Sequence, residues 1–148
     1  TFRSNPRHQC LQTGLGAGYA AIPWEGREGG HATHAAMVYL ASQVEPGSCC
    51  PMTMTYAAVP ALTAAPNLFE AWVPKLTSRL YDGSAKPLAS KTGATLGMAM
   101  TEKQGGSDVR ANTTRAEPEG EAYRLYGHKW FCSAPMSLVG GRAQRNSD

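Results

Sequence analysis

A polar turn containing two adjacent glycines, at residues 101–108, carries the groups best suited to bind a ligand. Its sequence is Thr101-Glu-Lys-Gln-Gly-Gly-Ser-Asp108. Gly105 and Gly106 allow backbone N–H groups to converge without obstruction by side chains, and the Ser107 hydroxyl adds a further donor. The turn therefore suits a phosphate or pyrophosphate group, although a plain connection between two strands is the commoner use of such residues.

Two histidines and two cysteines suggest an alternative site, a zinc centre. His31 and His34 would lie on neighbouring turns of a helix, and Cys49 and Cys50 follow soon after. Adjacent cysteines rarely both reach one tetrahedral ion, and none of the standard zinc-ligand spacings is present. We therefore do not expect a metal site.

The composition indicates a folded, soluble protein. Charged residues make up 17% of the chain and the net charge is only +3, with Lys and Arg too scattered to form a nucleic-acid footprint. No apolar run approaches the roughly 18 residues of a membrane span. The chain begins at Thr1 without an initiating Met, so we expect the true start upstream. The spacing of the cysteines favours free thiols in a reducing cytoplasm, and they are Cys10, Cys49, Cys50 and Cys132.

Helical patterns dominate the first half of the chain, which must position any site that follows. In the stretch Gly14–Gly18, Tyr19 stands where a nucleotide-binding fingerprint would need its third glycine, so we expect a helix with close packing at its glycines. Apolar residues recur at helical spacing from Thr33 to Glu45, which predicts a helix ended by Pro46-Gly47. Its apolar face comprises Met37, Val38, Ala41 and Val44.

Two further helices are expected before residue 81. The segment Pro51–Leu62 is apolar and contains small residues that would let helices approach closely. Asn67 is a plausible N-cap for the next helix, which Pro74 must kink or end. The apolar side of that helix comprises Leu68, Trp72, Val73 and Leu76.

The pattern changes to strands after the turn residues Tyr81-Asp-Gly-Ser84. Three strand-like segments cover residues 93–100, 108–117 and 122–132, and Pro118-Glu-Gly120 is a good turn between the last two. Helices followed by an antiparallel meander indicate an α+β protein, or the junction of an all-α domain with an all-β one.

Several strings in the chain resemble one known family. Met98–Asp108, with its M-T-E core, looks like the strand-turn signature that opens the β-domain of acyl-CoA dehydrogenases. The fuller string from Met100 to Val109, together with Asn112-Thr-Thr-Arg-Ala-Glu117 and Gly127-His-Lys-Trp-Phe-Cys-Ser133, resembles the AidB branch, the alkylation-response members of that family. Cys50–Leu62 also looks like that branch, and the likeness runs from about Gln9 to Ser137.

The resemblance implies FAD, with its flavin ring against the β-domain. It implies that Met98–Thr101 hold the pyrimidine side of the ring and that Ser107 meets the pyrophosphate. It also implies that Phe131 lies against the isoalloxazine and that Ser133 bonds near its reactive nitrogen. The implied cofactor-binding residues are Met98, Met100, Thr101, Gly106, Ser107, Phe131, Cys132 and Ser133.

The resemblance also implies a domain plan and leads us to expect an internal fragment of a longer protein. Residues 1–84 would be the end of the N-terminal helical domain, and residues 85–137 the start of the antiparallel β-barrel middle domain. Residues 138–148 form an atypical, polar tail. In the family, a carboxylate base in a C-terminal helical domain removes the α-proton of an acyl-CoA thioester, so we name no catalytic residue here.

Two carboxylates of the turn need a separate interpretation. We expect Glu102 and Asp108 to cap backbone amides or face water rather than to act as bases. The alternative function, again by resemblance, is a DNA-associated alkylation-response protein that acts by binding rather than turnover. The family likeness further implies that the parent protein is a homo-oligomer.

Overall fold

A computed structural model describes residues 6–84 and 86–132 of the chain. The first part is helical and the last part contains an antiparallel hairpin, which confirms the α+β prediction. Within the described ranges, no helix has both the length and the apolar character needed to cross a membrane. The regular elements are α1 (Pro6–Gly16), α2 (Gly30–Ser42), α3 (Pro46–Leu62), α4 (Pro66–Leu76), β1 (Arg115–Glu119) and β2 (Ala122–Tyr126).

The chain forms two compact units that divide between Leu96 and Gly97. We call the described residues 6–84 and 86–96 the helical unit, and residues 97–132 the β unit. In the helical unit, α3 packs against α1, α2 and α4. The buried apolar residues there are Leu15, Tyr19, Ala20, Ala21, Met52, Ala58, Val59 and Leu76.

Close packing at a glycine joins α1 to α3, as the sequence predicts. A Cβ atom at Gly14 would lie 2.6 Å from the Sδ atom of Met52, which is itself 1% exposed. Any larger residue at this position would therefore displace a core side chain.

The boundary between α2 and α3 differs from the prediction in two ways. Pro46 does not merely follow a helix; it begins α3, since the Glu45 carboxylate caps that helix by accepting from the N–H groups of Gly47 (3.1 Å) and Ser48 (2.7 Å). Val44, predicted to face the core, is 82% exposed. It lies beyond the last turn of α2, where helical periodicity no longer applies.

Thr55 ties α3 to the end of the helical unit. Its side chain is fully buried, and the Oγ1 atom donates to the Pro51 carbonyl (2.7 Å) and accepts from the Leu96 N–H (3.1 Å). The hydroxyl thus satisfies a backbone group of a distant segment of the same unit.

The predicted N-cap of α4 is wrong. Asn67 lies inside the first turn, Ala65 occupies the N-cap position without a side-chain cap, and Pro66 is the first helical residue. Proline suits that position because its missing N–H would have no partner there. The helix continues past Pro74 and ends at Leu76, which is fully buried. The other residues of the predicted face are less buried, and they are Leu68, Trp72 and Val73.

The strands of the β unit are shorter than predicted. Arg115 pairs with Tyr126 at one end of the hairpin, and Glu119 pairs with Ala122 at the other. A 3-10 turn at Val109–Ala111 delays the start of β1, and Gly127, with φ of 154°, ends β2. The segment at residues 93–100 forms no regular strand. Pro118, the first residue of the predicted turn, is part of β1, and the chain reverses direction at Gly120.

Candidate functional site

The glycine turn of the β unit closes on itself through main-chain contacts. Glu102 and Gly105 form an isolated antiparallel bridge, in which the Gly105 N–H donates to the Glu102 carbonyl at 3.0 Å. Gly106 lies against Thr101, because a Cβ at Gly106 would be 2.9 Å from the Thr101 hydroxyl oxygen. Two of the predicted cofactor-binding residues, Thr101 and Gly106, therefore lie side by side.

A second pairing brings the two predicted flavin segments together. Glu102 bridges to Lys129 in antiparallel fashion, and the Trp130 N–H donates to the Thr101 carbonyl at 2.9 Å. Met100 and Phe131 are the next residues beyond this pairing on their respective segments. They expose 60% and 78% of their surface. The pairing fixes the backbone on both segments, and the two large apolar side chains next to it are exposed and accessible to a ligand.

The open side of the turn consists of Gly105, Gly106 and Ser107. All three residues are exposed, and no atom lies within 4 Å of the position that a Cβ would take at Gly105. Asp108 follows and accepts from the Arg110 N–H at 3.2 Å, as the N-cap of a 3-10 turn. Its predicted role in capping a backbone amide is confirmed.

Glu102 is buried, with 3% of its surface exposed. One carboxylate oxygen accepts from Lys129 Nζ (2.8 Å) and the Thr114 N–H (3.0 Å). The other accepts from the Thr113 N–H (2.7 Å), the Thr113 hydroxyl (3.1 Å) and Gln104 Nε2 (2.8 Å). The Lys129 ammonium, followed by the bonds from Thr114, Thr113 and Gln104, lowers the pKa of Glu102 well below its ordinary range. Its capping role is confirmed, and no free carboxylate is available at this position to act as a base.

Several residues that organise this region were not singled out from the sequence. Lys129 Nζ donates to the Met100 carbonyl (3.2 Å) as well as to Glu102, and Asn112 Nδ2 donates to the same carbonyl (2.8 Å). Gly127 contacts Thr114 so closely that any Cβ would overlap it. The signal for these residues was present, because all of them lie in the strings that carry the family resemblance.

The last described residues include a strained backbone position. Phe131 has φ of 56°, and it is the one non-glycine residue with positive φ among the residues that the structure describes. Such a conformation is costly for an aromatic residue and occurs where surrounding contacts impose it. Cys132 is exposed and makes a weak contact from Sγ to the Lys129 carbonyl (3.9 Å). Ser133, the remaining predicted flavin residue, lies outside the described residues.

The histidines considered for zinc belong to an aromatic cluster of the helical unit. His34 Nδ1 is 2.8 Å from the Tyr19 carbonyl, and His31 Nδ1 is 2.8 Å from the Tyr56 hydroxyl. The His34 ring stacks on Tyr56 with centroids 3.9 Å apart, and Trp24 stacks on the same tyrosine at 5.4 Å. Within residues 6–84 and 86–132, no group of three or more His, Cys, Asp or Glu side chains could hold a metal ion.

The β unit has the donor chemistry and the exposed apolar side chains that a flavin nucleotide requires. Exposed apolar side chains at Met100 and Phe131 suit a flat aromatic ring. The open glycine backbone and the hydroxyl of Ser107 suit an anionic phosphate chain. Met98 is half-buried and precedes this surface along the chain.

Comparisons with known proteins match both units of the chain. The model of the adaptive response protein AidB N-terminal domain matches residues 5–83, and that of the acyl-CoA dehydrogenase middle domain matches residues 97–139. The chain is 51% identical over 120 residues to the putative acyl-CoA dehydrogenase AidB of Escherichia coli (strain K12), covering 78% of this chain and 22% of that protein. It is 42% identical over 87 residues to acyl-CoA dehydrogenase family member 11 of Caenorhabditis elegans, covering 57% of this chain and 14% of that protein.

A solved structure agrees with these relationships. The crystal structure of Caenorhabditis elegans ACDH-11 in complex with C11-CoA superposes with a TM-score of 0.65 at 31% identity, covering 85% of this chain and 21% of that chain. The chain thus spans between 14% and 22% of the length of these relatives.

Proposed function

The chain belongs to the acyl-CoA dehydrogenase family, in the branch represented by AidB, and on that premise we propose that its β unit forms one wall of an FAD site. The pairing of residues 101–102 with 129–130 supports this most directly. It joins the two strings that resemble the flavin-binding segments of the family. The residues proposed to contact the cofactor are Met98, Met100, Thr101, Gly106, Ser107, Phe131, Cys132 and Ser133.

Each group of these residues has a distinct proposed role. Met100 and Phe131 cover the ring, and the backbone of Thr101 orients it. Gly106 and Ser107 hold the pyrophosphate, since a backbone without side chains lets the phosphate approach closely. When bound, FAD accepts the hydride that leaves an acyl-CoA thioester as its CH–CH group is oxidised. The acyl-CoA class of substrate is supported by the C11-CoA complex of the C. elegans relative.

We further propose that this 148-residue chain does not dehydrogenate acyl-CoA by itself. The carboxylates nearest the turn are already used, Glu102 by five donor atoms and Asp108 by a backbone amide. Neither is free to remove a proton from a substrate. The domain ranges 1–84, 85–137 and 138–148 and the homo-oligomeric state of the complete protein remain proposals, as does its cytoplasmic location.

The alternative, a DNA-associated alkylation-response protein, receives less support from the described residues. Binding to DNA requires cations that are free to neutralise phosphates. The net charge of the chain is only +3, and several basic side chains already pair with carboxylates, namely Arg27, Arg79, Arg115, Arg124 and Lys129. We therefore favour the flavoprotein proposal for this part of the protein.

Titration of the purified chain with FAD tests the proposal. Flavin fluorescence should be quenched on binding, and Ser107→Ala should raise the dissociation constant about three- to tenfold, since one hydrogen bond to the phosphate is lost. Ser90→Ala removes an exposed hydroxyl from the helical unit and serves as the matched control. Absence of binding by the unmodified chain would overturn the FAD site. Equal affinity of the Ser107 variant and the control would remove the role given to Ser107.

A further inference from the structure

Glu102 is the one buried residue among those that the structure describes in the β unit. A carboxylate in such a position loses its hydration, and it is stable only when donors replace the lost water. All five of its partner atoms carry hydrogens to donate, and they belong to Gln104, Thr113, Thr114 and Lys129. A glutamine amide could not serve here without turning its own N–H donors toward these donors.

Lys129 extends this cluster to the residues proposed to face the flavin. Its ammonium group contacts both Glu102 and the Met100 carbonyl. The next residue, Trp130, bonds the Thr101 carbonyl through its own N–H. Phe131 then adopts its left-handed conformation directly after this anchored pair. The charged contact is therefore two residues away from the proposed ring-covering residue on each segment, Met100 on one and Phe131 on the other.

We propose that Glu102 and Lys129 are positioning residues of the flavin site, which hold the segment of Met100 and Thr101 and the segment of Phe131 in register without touching the cofactor. This inference rests on the proposed FAD site and identifies the residues that hold its two segments in place. The residues between the two segments form the hairpin β1–β2, which has its own hydrogen-bonded ladder. Loss of the Glu102–Lys129 contact can therefore change the register of the site while the hairpin stays paired.

The hairpin supplies a matched control pair. Arg124 and Glu119 form an ion pair of the same chemical type, but their side chains are 52% and 57% exposed. The corresponding values for Lys129 and Glu102 are 24% and 2%. Water screens the exposed pair, which also contacts none of the proposed flavin residues. A variant of Arg124 thus removes a cation from the hairpin without altering the site.

The test compares Glu102→Gln, Lys129→Met, Lys129→Arg and Arg124→Met in the full chain, by FAD titration and by the absorption spectrum of bound flavin at saturation. We expect Glu102→Gln and Lys129→Met to weaken FAD binding by about tenfold or more, and to shift the bound spectrum toward that of free flavin, because the ring loses its fixed wall. Lys129→Arg keeps donors for both partners and should restore the affinity and the spectrum. Arg124→Met should match the unmodified chain.

The outcomes distinguish the proposed FAD site from the proposed positioning role of Glu102 and Lys129. Failure of the unmodified chain to bind FAD would overturn the proposed function, and this inference with it. If the unmodified chain binds and both charge-removing variants bind equally well, only the positioning role is overturned. The same conclusion follows if they bind less FAD with an unchanged bound spectrum, since that pattern reports a smaller folded fraction rather than a displaced ring.

Discussion

The helical unit buries mainly apolar side chains, whereas the buried side chain of the described β unit is a carboxylate. The helical unit encloses apolar residues such as Met52 and Leu76, each with at most 1% of its surface exposed. In the described β unit, large apolar residues such as Leu125 (73% exposed) and Phe131 (78% exposed) lie on the surface, and a carboxylate is buried. One unit is therefore stabilised by apolar packing, and the other by charge-assisted hydrogen bonds around Glu102.

This difference has a functional consequence. Apolar packing holds a helix face against its neighbours but does not favour one hydrogen-bond register over another. The cluster around Glu102 requires particular donors at particular distances, so it specifies how segments from residues 102, 113–114 and 129 meet. A unit that leaves its apolar side chains exposed and its backbone fixed is well suited to bind a flat cofactor.

The largest expected effect comes from removing apolar packing in the helical unit. Met52→Ala should lower the free energy of unfolding of that unit by about 2–5 kcal/mol, since it deletes a buried side chain and leaves a cavity against Gly14. Urea unfolding followed by circular dichroism at 222 nm measures the loss. Met52→Leu, which nearly conserves volume, is the control and should cost less than about 1.5 kcal/mol. Equal losses from the two variants would contradict close packing at this contact.

Acid should disturb the two units at different pH. The pKa of Glu102 is lowered from 4.5, most strongly by Lys129, so its stabilisation of the β unit is complete above that value and declines as the pH falls further. In the helical unit, the Ser84 hydroxyl and N–H lower the pKa of Asp82 from 3.8 to about 2, so the decline begins at a lower pH. Urea unfolding at a series of pH values from 6 to 3, followed at the amides of Thr113 and Ser84, measures how the free energy of unfolding of each unit depends on pH.

Two variants sharpen this acid comparison. Glu102→Gln should remove the loss of stability of the β unit as the pH falls below 4.5, because the titrating group is gone. Glu119→Gln, in the exposed ion pair with Arg124, should leave most of that loss in place. A loss of stability that begins at a lower pH in the β unit than in the helical unit would contradict the expected order.

The smallest expected effect comes from truncating an exposed apolar residue of the β unit. Leu125→Ala should change the free energy of unfolding by no more than about 0.5 kcal/mol, in contrast to the same kind of truncation at Met52. Urea unfolding and the amide spectrum of β1 and β2 provide the measurement. A loss as large as that of Met52→Ala would mean that Leu125 is packed in solution, and the contrast between the units would fail.

The helices and strands were predictable where the local spacing of apolar residues determines the structure. Apolar residues at helical spacing correctly predicted α2, and the apolar segment Pro51–Leu62 correctly predicted a helix, although α3 begins earlier, at Pro46. Asn67 was misassigned as an N-cap because Pro66, which prefers the first helical position, determines where α4 begins. The strands were predicted too long because neither the 3-10 turn at Val109–Ala111 nor the break at Gly127 is visible in an apolar pattern.

The candidate site was only partly predictable, because part of it depends on contacts between residues that are far apart in the chain. The turn residues Gly105, Gly106 and Ser107 stand out by type, and the roles of the flavin residues were implied by resemblance and stay predictions. Lys129 did not stand out, because a lysine at a strand end is usually solvated. Its contacts with Glu102 and the Met100 carbonyl join residues 27 and 29 positions apart in the chain.

By itself, the amino-acid sequence determined that helices precede an antiparallel hairpin and where the glycine turn lies, because these follow from residue types a few positions apart. The strings it contains also determined the family. Only the tertiary structure decided that Glu102 is buried, that Lys129 is its partner, and that the segments of Met100 and Phe131 are paired. Those outcomes depend on long-range contacts, in which the cost of burying a charge is offset by donors from distant parts of the chain.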